Sequence, residues 1–420
     1  MTEPRDGVPP VVADARAFAD TLAAFAAGTG PVAVDAERAS GYRYGQRAFL
    51  VQLRRAGAGT ALIDPVSCPD LFELSAILSD AEWVLHAASQ DLPCLAELGF
   101  APRRLFDTEL AGRLAGFERV GLGAMVERVL GLTLEKGHSA ADWSKRPLPE
   151  PWLRYAALDV EVLLELRDEL EAELIRQDKL EWAHEEFAAI VSAGPPAARI
   201  DPWRRTSGLH RVRSPRKLAA VRELWTLRDE LARKRDIAPG RLLPDAAIVG
   251  TVLAAPQTVE AVAALPYFTG RSARRLAPAV FTALRTAAAL PDSELPRGAG
   301  PVDGPPPANR WAERDPVAAA RLARLRAVIT ELAEQHRLPA ENLVQPDAVR
   351  RLAWDPPREP GAAAVASQLR AVGARSWQIS LTAERFAAAL QAPPDEHGDP
   401  AAATVPGGSA SPDTAADTEA

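Results

Sequence analysis

Apolar and polar positions fall into two registers along the first half of the chain. Short apolar runs bounded by turn residues occur at 32–34, 48–53, 60–64 and 83–86, the length of buried strands. A Gly-containing turn separates the second run from the third, predicting an antiparallel meander beside the first. Apolar residues also recur at helical spacing over 69–78, at Leu92, Leu95 and Leu98, from Phe106-Asp107-Thr108 onward, and over 122–130. The longest such pattern, 151–174, carries Leu158, Val162 and Leu166 on one face and Pro151 in its first turn. Strand, turn and helix alternate, so the pattern predicts an α/β domain with a mixed sheet flanked by helices.

The pattern changes past residue 192. A Pro/Gly-rich stretch marks a boundary, and a helix follows from Ser214 to about Arg235 with Leu218, Val221, Leu224, Trp225 and Leu231 on one side. Pro239, Gly240 and Pro244 break it, and shorter helices are predicted over 246–253, 259–265 and 272–288. After a second Pro/Gly-rich stretch comes a helix over 317–336. The following LPAENLVQPDAVRRL echoes IAPGRLLPDAAIV with one inserted residue. The expected organisation is an α/β domain at 8–192, a linker at 193–212, an all-α bundle at 213–291, a disordered linker at 292–312, a second bundle at 313–392, and a disordered tail at 393–420.

Composition narrows the class. The 420 residues are 47% hydrophobic and 25% charged, as in a soluble globular protein. Cys68 and Cys94 make no disulfide scaffold and show no metal-ligand spacing. The N-terminus lacks the regions of a signal peptide, and no apolar run approaches the ~18 residues of a membrane span, so a cytoplasmic location and no membrane partner are expected. The net charge of −7 argues against a polyanionic partner until it is divided. Residues 1–195 carry roughly 19 basic and 31 acidic side chains and residues 196–300 roughly 18 and 9. An acidic domain beside a basic one suits carboxylates that hold metal and a neighbour that holds a polyanion.

The candidate chemistry lies in the acidic domain. Asp35 and Glu37 follow the first buried run, and i, i+2 side chains of a strand share a face. Taken alone, a D-x-E is more often an acidic turn than a site. Asp91 falls in the first turn of a helix, where the helix dipole favours a carboxylate in any case. Tyr155 and Asp159 stand one helical turn apart. His86, at a strand end, reads as a structural hydrogen-bonding residue, because hard divalent ions prefer oxygen. Lys136 to Leu148 is a polar loop whose Trp143 reads as a core residue.

In this order, Asp35-x-Glu37, Asp91 within HAASQDL, and Tyr155-x-x-x-Asp159 resemble the motifs of the DEDDy 3′→5′ exonucleases over residues 8–190. The DTELAGRL and ADWSKRPL stretches resemble the ribonuclease D group in particular. The segments ARKRDIAPGRLLPDAAIV and PYFTGRSARRL resemble an HRDC domain, the module that follows the nuclease in that group. The resemblance implies a ribonuclease-H-like exonuclease domain followed by two HRDC-like bundles. It implies two divalent cations, Mg2+ or Mn2+, which suit an all-oxygen site. Asp35 would bridge them, Glu37 and Asp159 would hold the ion that activates water, and Asp91 would support the other. Tyr155 would orient the attacking water, since a free phenol has a pKa near 10.

The implied partner is RNA with a free 3′-hydroxyl, transfer-RNA precursors foremost, trimmed by a monomer to release nucleoside 5′-monophosphates. Lys145 and Arg146, with Lys217, Arg228, Arg233, Lys234, Arg235, Arg241, Arg271, Arg274 and Arg275 of the first bundle, are the candidate phosphate contacts. His138 stands where the resemblance leads one to expect a small polar residue. Two other readings share these motifs, a DNA exonuclease of repair or proofreading and an inert nucleic-acid-binding scaffold. The bundles, and the lack of a P-loop motif, favour RNA. The intact acids count against an inert scaffold.

Overall fold

The computed structural model describes residues 3–134, 137, 138, 140–194, 199–296 and 304–393. One six-stranded sheet carries the first domain: β1 (Val11–Val12), β2 (Thr29–Arg38), β3 (Ala48–Ala56), β4 (Gly59–Ile63), β5 (Glu82–Leu85) and β6 (Arg104–Asp107). The strand order is β1-β4-β3-β2-β5-β6. The meander expected from the turn chemistry is present, with β2, β3 and β4 antiparallel. Strands β1, β5 and β6 each run parallel to their neighbour. Val32, Ala33 and Val34 of β2 are fully buried, so the strand that leads to Asp35 is fixed by the core on both faces.

Helices α1 (Ala15–Ala27), α2 (Phe72–Ile77), α3 (Leu92–Ala96), α4 (Thr108–Leu114), α5 (Leu122–Leu130), α6 (Glu150–Glu161), α7 (Leu163–Arg176) and α8 (Leu180–Ser192) surround the sheet. Asp14 caps α1 by accepting from the backbone of Arg16 and Ala17. The single helix expected over 151–174 is two, α6 and α7, which meet at Val162. Helix α6 lies over β2, β3 and β4, whereas α7 lies over β2 and β5 and against α4 and α5. Sheet twist turns those strand groups apart, and one straight rod cannot follow both.

Helices α9 (Pro215–Arg235), α10 (Pro239–Leu242), α11 (Asp245–Ala254), α12 (Val259–Ala263), α13 (Gly270–Arg274) and α14 (Ala277–Ala289) form the middle bundle around its own apolar core. Trp203 and Val212 belong to that core, so it begins inside the stretch expected to be linker. Helices α15 (Trp311–Arg314), α16 (Pro316–His336), α17 (Ala340–Leu343), α18 (Pro346–Trp354), α19 (Ala362–Ala371) and α20 (Ser376–Gln391) form the last bundle. Its core is continuous with that of the sheet domain.

The expectation of a disordered linker at 292–312 is corrected where that stretch is described. Leu295 packs on the middle bundle, and the Pro305 and Pro306 carbonyls accept from Arg350 at 2.9 and 3.1 Å. Trp311 is fully buried and donates to the Pro306 carbonyl at 2.8 Å, which anchors the segment. The tail expected to be disordered lies, from residue 394, outside the described residues. Among the described residues, no helix is long and apolar enough to cross a membrane.

Candidate active site

Three carboxylates converge where β2 leaves the core. Asp35 and Glu37 share a face at the end of β2, and α6 crosses that strand and brings Asp159 down onto them. One carboxylate oxygen from each of Asp35, Glu37 and Asp159 lies within 4.8 Å of the others. Tyr155, one turn before Asp159, interacts through its hydroxyl with the Asp159 carboxylate.

Asp91 approaches from the other side. It stands at the start of α3, yet its side chain makes no capping bond. Arg38 holds it instead, with Nη2 3.2 Å from Asp91 Oδ1 and Nη1 donating to the Gln90 carbonyl at 2.8 Å. The turn before Asp91 is fixed by Asp107. That carboxylate caps α4 and also accepts from the backbone of Ala87 and Ala88 at 3.0 and 2.9 Å. It thereby secures Ala87 at φ +57, in the left-handed region.

Burial and crowding govern the charge state. Burial, with Asp35, Asp159 and Asp91 nearby, pushes Glu37 up to about 10. Burial, then Asp35, pushes Asp91 up to about 8 against the pull of Arg38. Burial raises Asp35 as well, and burial with Asp35 raises Asp159 far above the carboxylate range. Burial and the surrounding acids likewise hold the Tyr155 phenol protonated, which suits a hydrogen-bond donor better than a base. A crowded, all-oxygen cluster of this kind, with Arg38 as its neighbouring cation, fits hard divalent ions, whose charge would offset the repulsion.

The carboxylates open into a cavity of about 1000 Å³, lined also by Arg38, His86, Arg119 and the start of α5. Its volume suits a substrate larger than a single ion. His86 is held by Thr108 Oγ1 at 2.9 Å, and burial lowers its pKa to about 4. His138 is exposed, with its ring edge-on to Tyr155 at 6.0 Å. Trp143 is fully buried and donates to the His138 carbonyl at 3.1 Å. Sequence reasoning missed Arg38 and Arg119. Neither belongs to a motif, and their shared signal is position on the cavity wall.

The candidate phosphate contacts divide into two groups. Arg146 is exposed, but its guanidinium bonds bidentately to Asp64 at 2.7 Å and to the Phe49 and Trp143 carbonyls, so its donors are engaged within the chain rather than held out for phosphate. Arg228 is buried and donates to Asp245 at 2.6 Å, a core bond that removes it from the candidate surface. Arg233 bonds to Asp229 and to the Tyr44 hydroxyl. Arg241 donates to the Gly41 carbonyl at 2.6 Å and lies over the Tyr42 ring, so both tie the middle bundle to the turn after β2. Lys145 is exposed, 6.0 Å from the Trp152 ring centroid. Lys234, Arg235, Arg271, Arg274 and Arg275 are exposed and Lys217 is half-buried.

Residues 10–175 match the family model described as 3′-5′ exonuclease, 217–284 match the HRDC domain, and 304–390 match a 3′ to 5′ exonuclease C-terminal domain. Ribonuclease D of Gluconacetobacter diazotrophicus is 31% identical over 335 residues, 77% of this chain and 81% of the relative. The chain belongs to the ribonuclease D family. It is thus a 3′→5′ exoribonuclease of the hydrolase class. Ribonuclease D of Jannaschia sp. is 33% identical over 66% of this chain and 75% of its own length. Among solved structures, a protein from Bifidobacterium adolescentis is 41% identical with a TM-score of 0.87, covering 93% of this chain and 99% of that one. Escherichia coli RNase D, described as an exoribonuclease involved in structured RNA processing, is 27% identical with a TM-score of 0.65, covering 86% and 98%. The ribonuclease D family thus accounts for the mixed sheet, the HRDC bundle and the helical C-terminal region together.

Proposed function

We propose that the chain trims the 3′ ends of structured RNAs, transfer-RNA precursors foremost, from a free 3′-hydroxyl, and releases nucleoside 5′-monophosphates. The observation that carries this reading is the convergence of Asp35, Glu37 and Asp159 at the mouth of a nucleotide-sized cavity, with Asp91 and Tyr155 beside them. Asp35, Glu37, Asp91 and Asp159 would hold two divalent cations, Mg2+ or Mn2+. Bound there, such ions supply charge stabilisation for the attacking and leaving oxygens and make water a nucleophile at neutral pH. Tyr155 keeps its proton and would orient the attacking water from beside Asp159. Arg38 steadies Asp91, and Arg119, on the cavity wall, would meet the RNA backbone.

Lys145, Lys217, Lys234, Arg235, Arg271, Arg274 and Arg275 remain the proposed phosphate contacts, because their charges are not committed to the core. The protein would act as a cytoplasmic monomer. The test is digestion of 3′-extended transfer RNA and of a matched DNA oligonucleotide, with Mg2+ or Mn2+, by the parent and by Asp35→Ala, read at nucleotide resolution. Stepwise shortening of the RNA by the parent alone is expected. An Asp35→Ala protein as active as the parent would sink the reading, and preference for the DNA would move the substrate to the repair alternative.

A further inference from the structure

Gln52 lies in the middle of β3 and is fully buried, yet neither its amide nitrogen nor its amide oxygen bonds to a protein atom. Buried polar groups are normally paired, and a leucine or methionine would fill the same space without the penalty. The register locates this residue. Gln52 is directly opposite Asp35 on β2 and opposite Leu62 on β4. Directly opposed residues of an antiparallel pair put their side chains on the same face, with Cβ atoms about 4.5–5.5 Å apart. That face also carries Leu50 and Leu62, which pack with Trp143 and with Ala156 and Ala157 of α6. Gln52 is therefore a polar side chain set in an apolar layer, beside Asp35 and beneath the helix that bears Asp159. Asp35 is its direct cross-strand neighbour on that face, and the Gln52 amide is left without a partner there.

We propose that Gln52 is a positioning residue for Asp35, turning its amide nitrogen to one carboxylate oxygen when a divalent cation binds and so directing the other oxygen at the ion. The proposal rests on the metal reading given above. A carboxylate ligand held by a neutral donor keeps its charge and its orientation, whereas a charged partner there would compete with the cation. An otherwise costly residue in the core is then explained by what it does for its neighbour across the strand pair.

The test is calorimetric titration of the full chain with Mn2+ alone, together with thermal melts, for the parent, Asp35→Asn and Gln52→Met. Methionine keeps the volume and removes both polar atoms. Gln52→Met is expected to melt at the same or a higher temperature in chelator while binding Mn2+ tenfold or more weakly. A purely structural glutamine predicts parental Mn2+ affinity, and that result overturns the proposal. Should Gln52→Met not fold, Gln52→Asn is read in the same way, since its amide is one methylene too short. Weakened binding by it supports the proposal and unchanged binding overturns it. If the parent shows no saturable Mn2+ binding that Asp35→Asn abolishes, the metal reading itself falls and takes this one with it.

Discussion

The Arg38 guanidinium lies 3.2 Å from the Asp91 carboxylate, which stands outside the three-acid cluster of Asp35, Glu37 and Asp159. Arg38 thus offsets charge at an acid that Asp35 and Asp107 also crowd. Arg38→Leu should lower stability by about 2 kcal/mol in chelator, the scale of a lost charged hydrogen bond beside a buried acid. In saturating Mn2+ the deficit should shrink, because the ion's charge takes over the same task. Urea denaturation of both proteins, with and without metal, measures the two deficits. A deficit equal in both conditions would show that Arg38 only packs.

The raised acids make metal binding and stability depend on pH together. In the metal-free fold Glu37 titrates at about 10 and Asp91 at about 8, with Asp35 and Asp159 also raised. A carboxyl whose folded pKa lies above its unfolded value stabilises the fold below the ordinary carboxylate range and loses that contribution as pH rises through the folded value. Metal-free protein should therefore melt lower at pH 8 than at pH 6. Binding a divalent ion expels the protons, so affinity rises over the same interval. Each tenfold gain is worth about 1.4 kcal/mol, roughly 2–4 °C in Tm for a unit of this size. Melts with and without a fixed Mg2+ concentration should show a larger Mg2+-induced rise at pH 8. A pH-independent rise would contradict the assignment of these acids as the ligands.

What the sequence displayed and what it concealed have separate physical causes. Asp35 and Glu37, and Tyr155 and Asp159, could be paired because strand and helix periods are local rules. Arg38 was hidden by the same rule, since strict alternation sends residue 38 to the opposite face from residue 37. The register shift between Glu37 and Arg38 redirects it toward Asp91. Asp91 was legible only as a helix-start acid, although its side chain caps nothing. Arg146 and Arg228 looked like uncommitted cations because Asp64 and Asp245, which engage them, are 82 and 17 residues away in sequence. The break at Val162 has no proline or glycine to announce it.

The last bundle should unfold with the sheet domain. Trp377 of α20 stacks on Trp182 of α8 at 4.9 Å and 11°, and its indole donates to Glu186 at 3.0 Å. Lys179 Nζ bridges the same junction, donating to the Leu114 and His336 carbonyls at 2.7 and 2.6 Å. Trp377→Ala should cost about 3–5 kcal/mol, the usual range for emptying a buried tryptophan site. Because both sides share one apolar core, near-ultraviolet circular dichroism and sheet-domain hydrogen exchange should report the loss at the same denaturant concentration. Loss confined to residues 311–391 would show that the bundle is an independent unit.

The middle bundle offers a contrast between exposed and committed cations. Arg271, Arg274 and Arg275 sit together at α13, all exposed, whereas Arg228 is buried on Asp245. Replacing the three exposed arginines with alanine removes charge without opening a core. Stability should hold within about 0.5 kcal/mol, while KM for a long RNA rises and kcat stays near the parental value, since the carboxylates are untouched. The slope of log affinity against log salt should fall by about 0.7 for each phosphate no longer neutralised, or roughly 2 if all three arginines engage RNA. Arg228→Ala should behave in the opposite way. It leaves the Asp245 carboxylate without its guanidinium partner, so it should destabilise the bundle by about 2 kcal/mol or more and leave the salt slope alone. Parallel salt titrations and urea melts of the two variants separate these outcomes. An unchanged slope in the triple variant would move the RNA path off this face of the bundle.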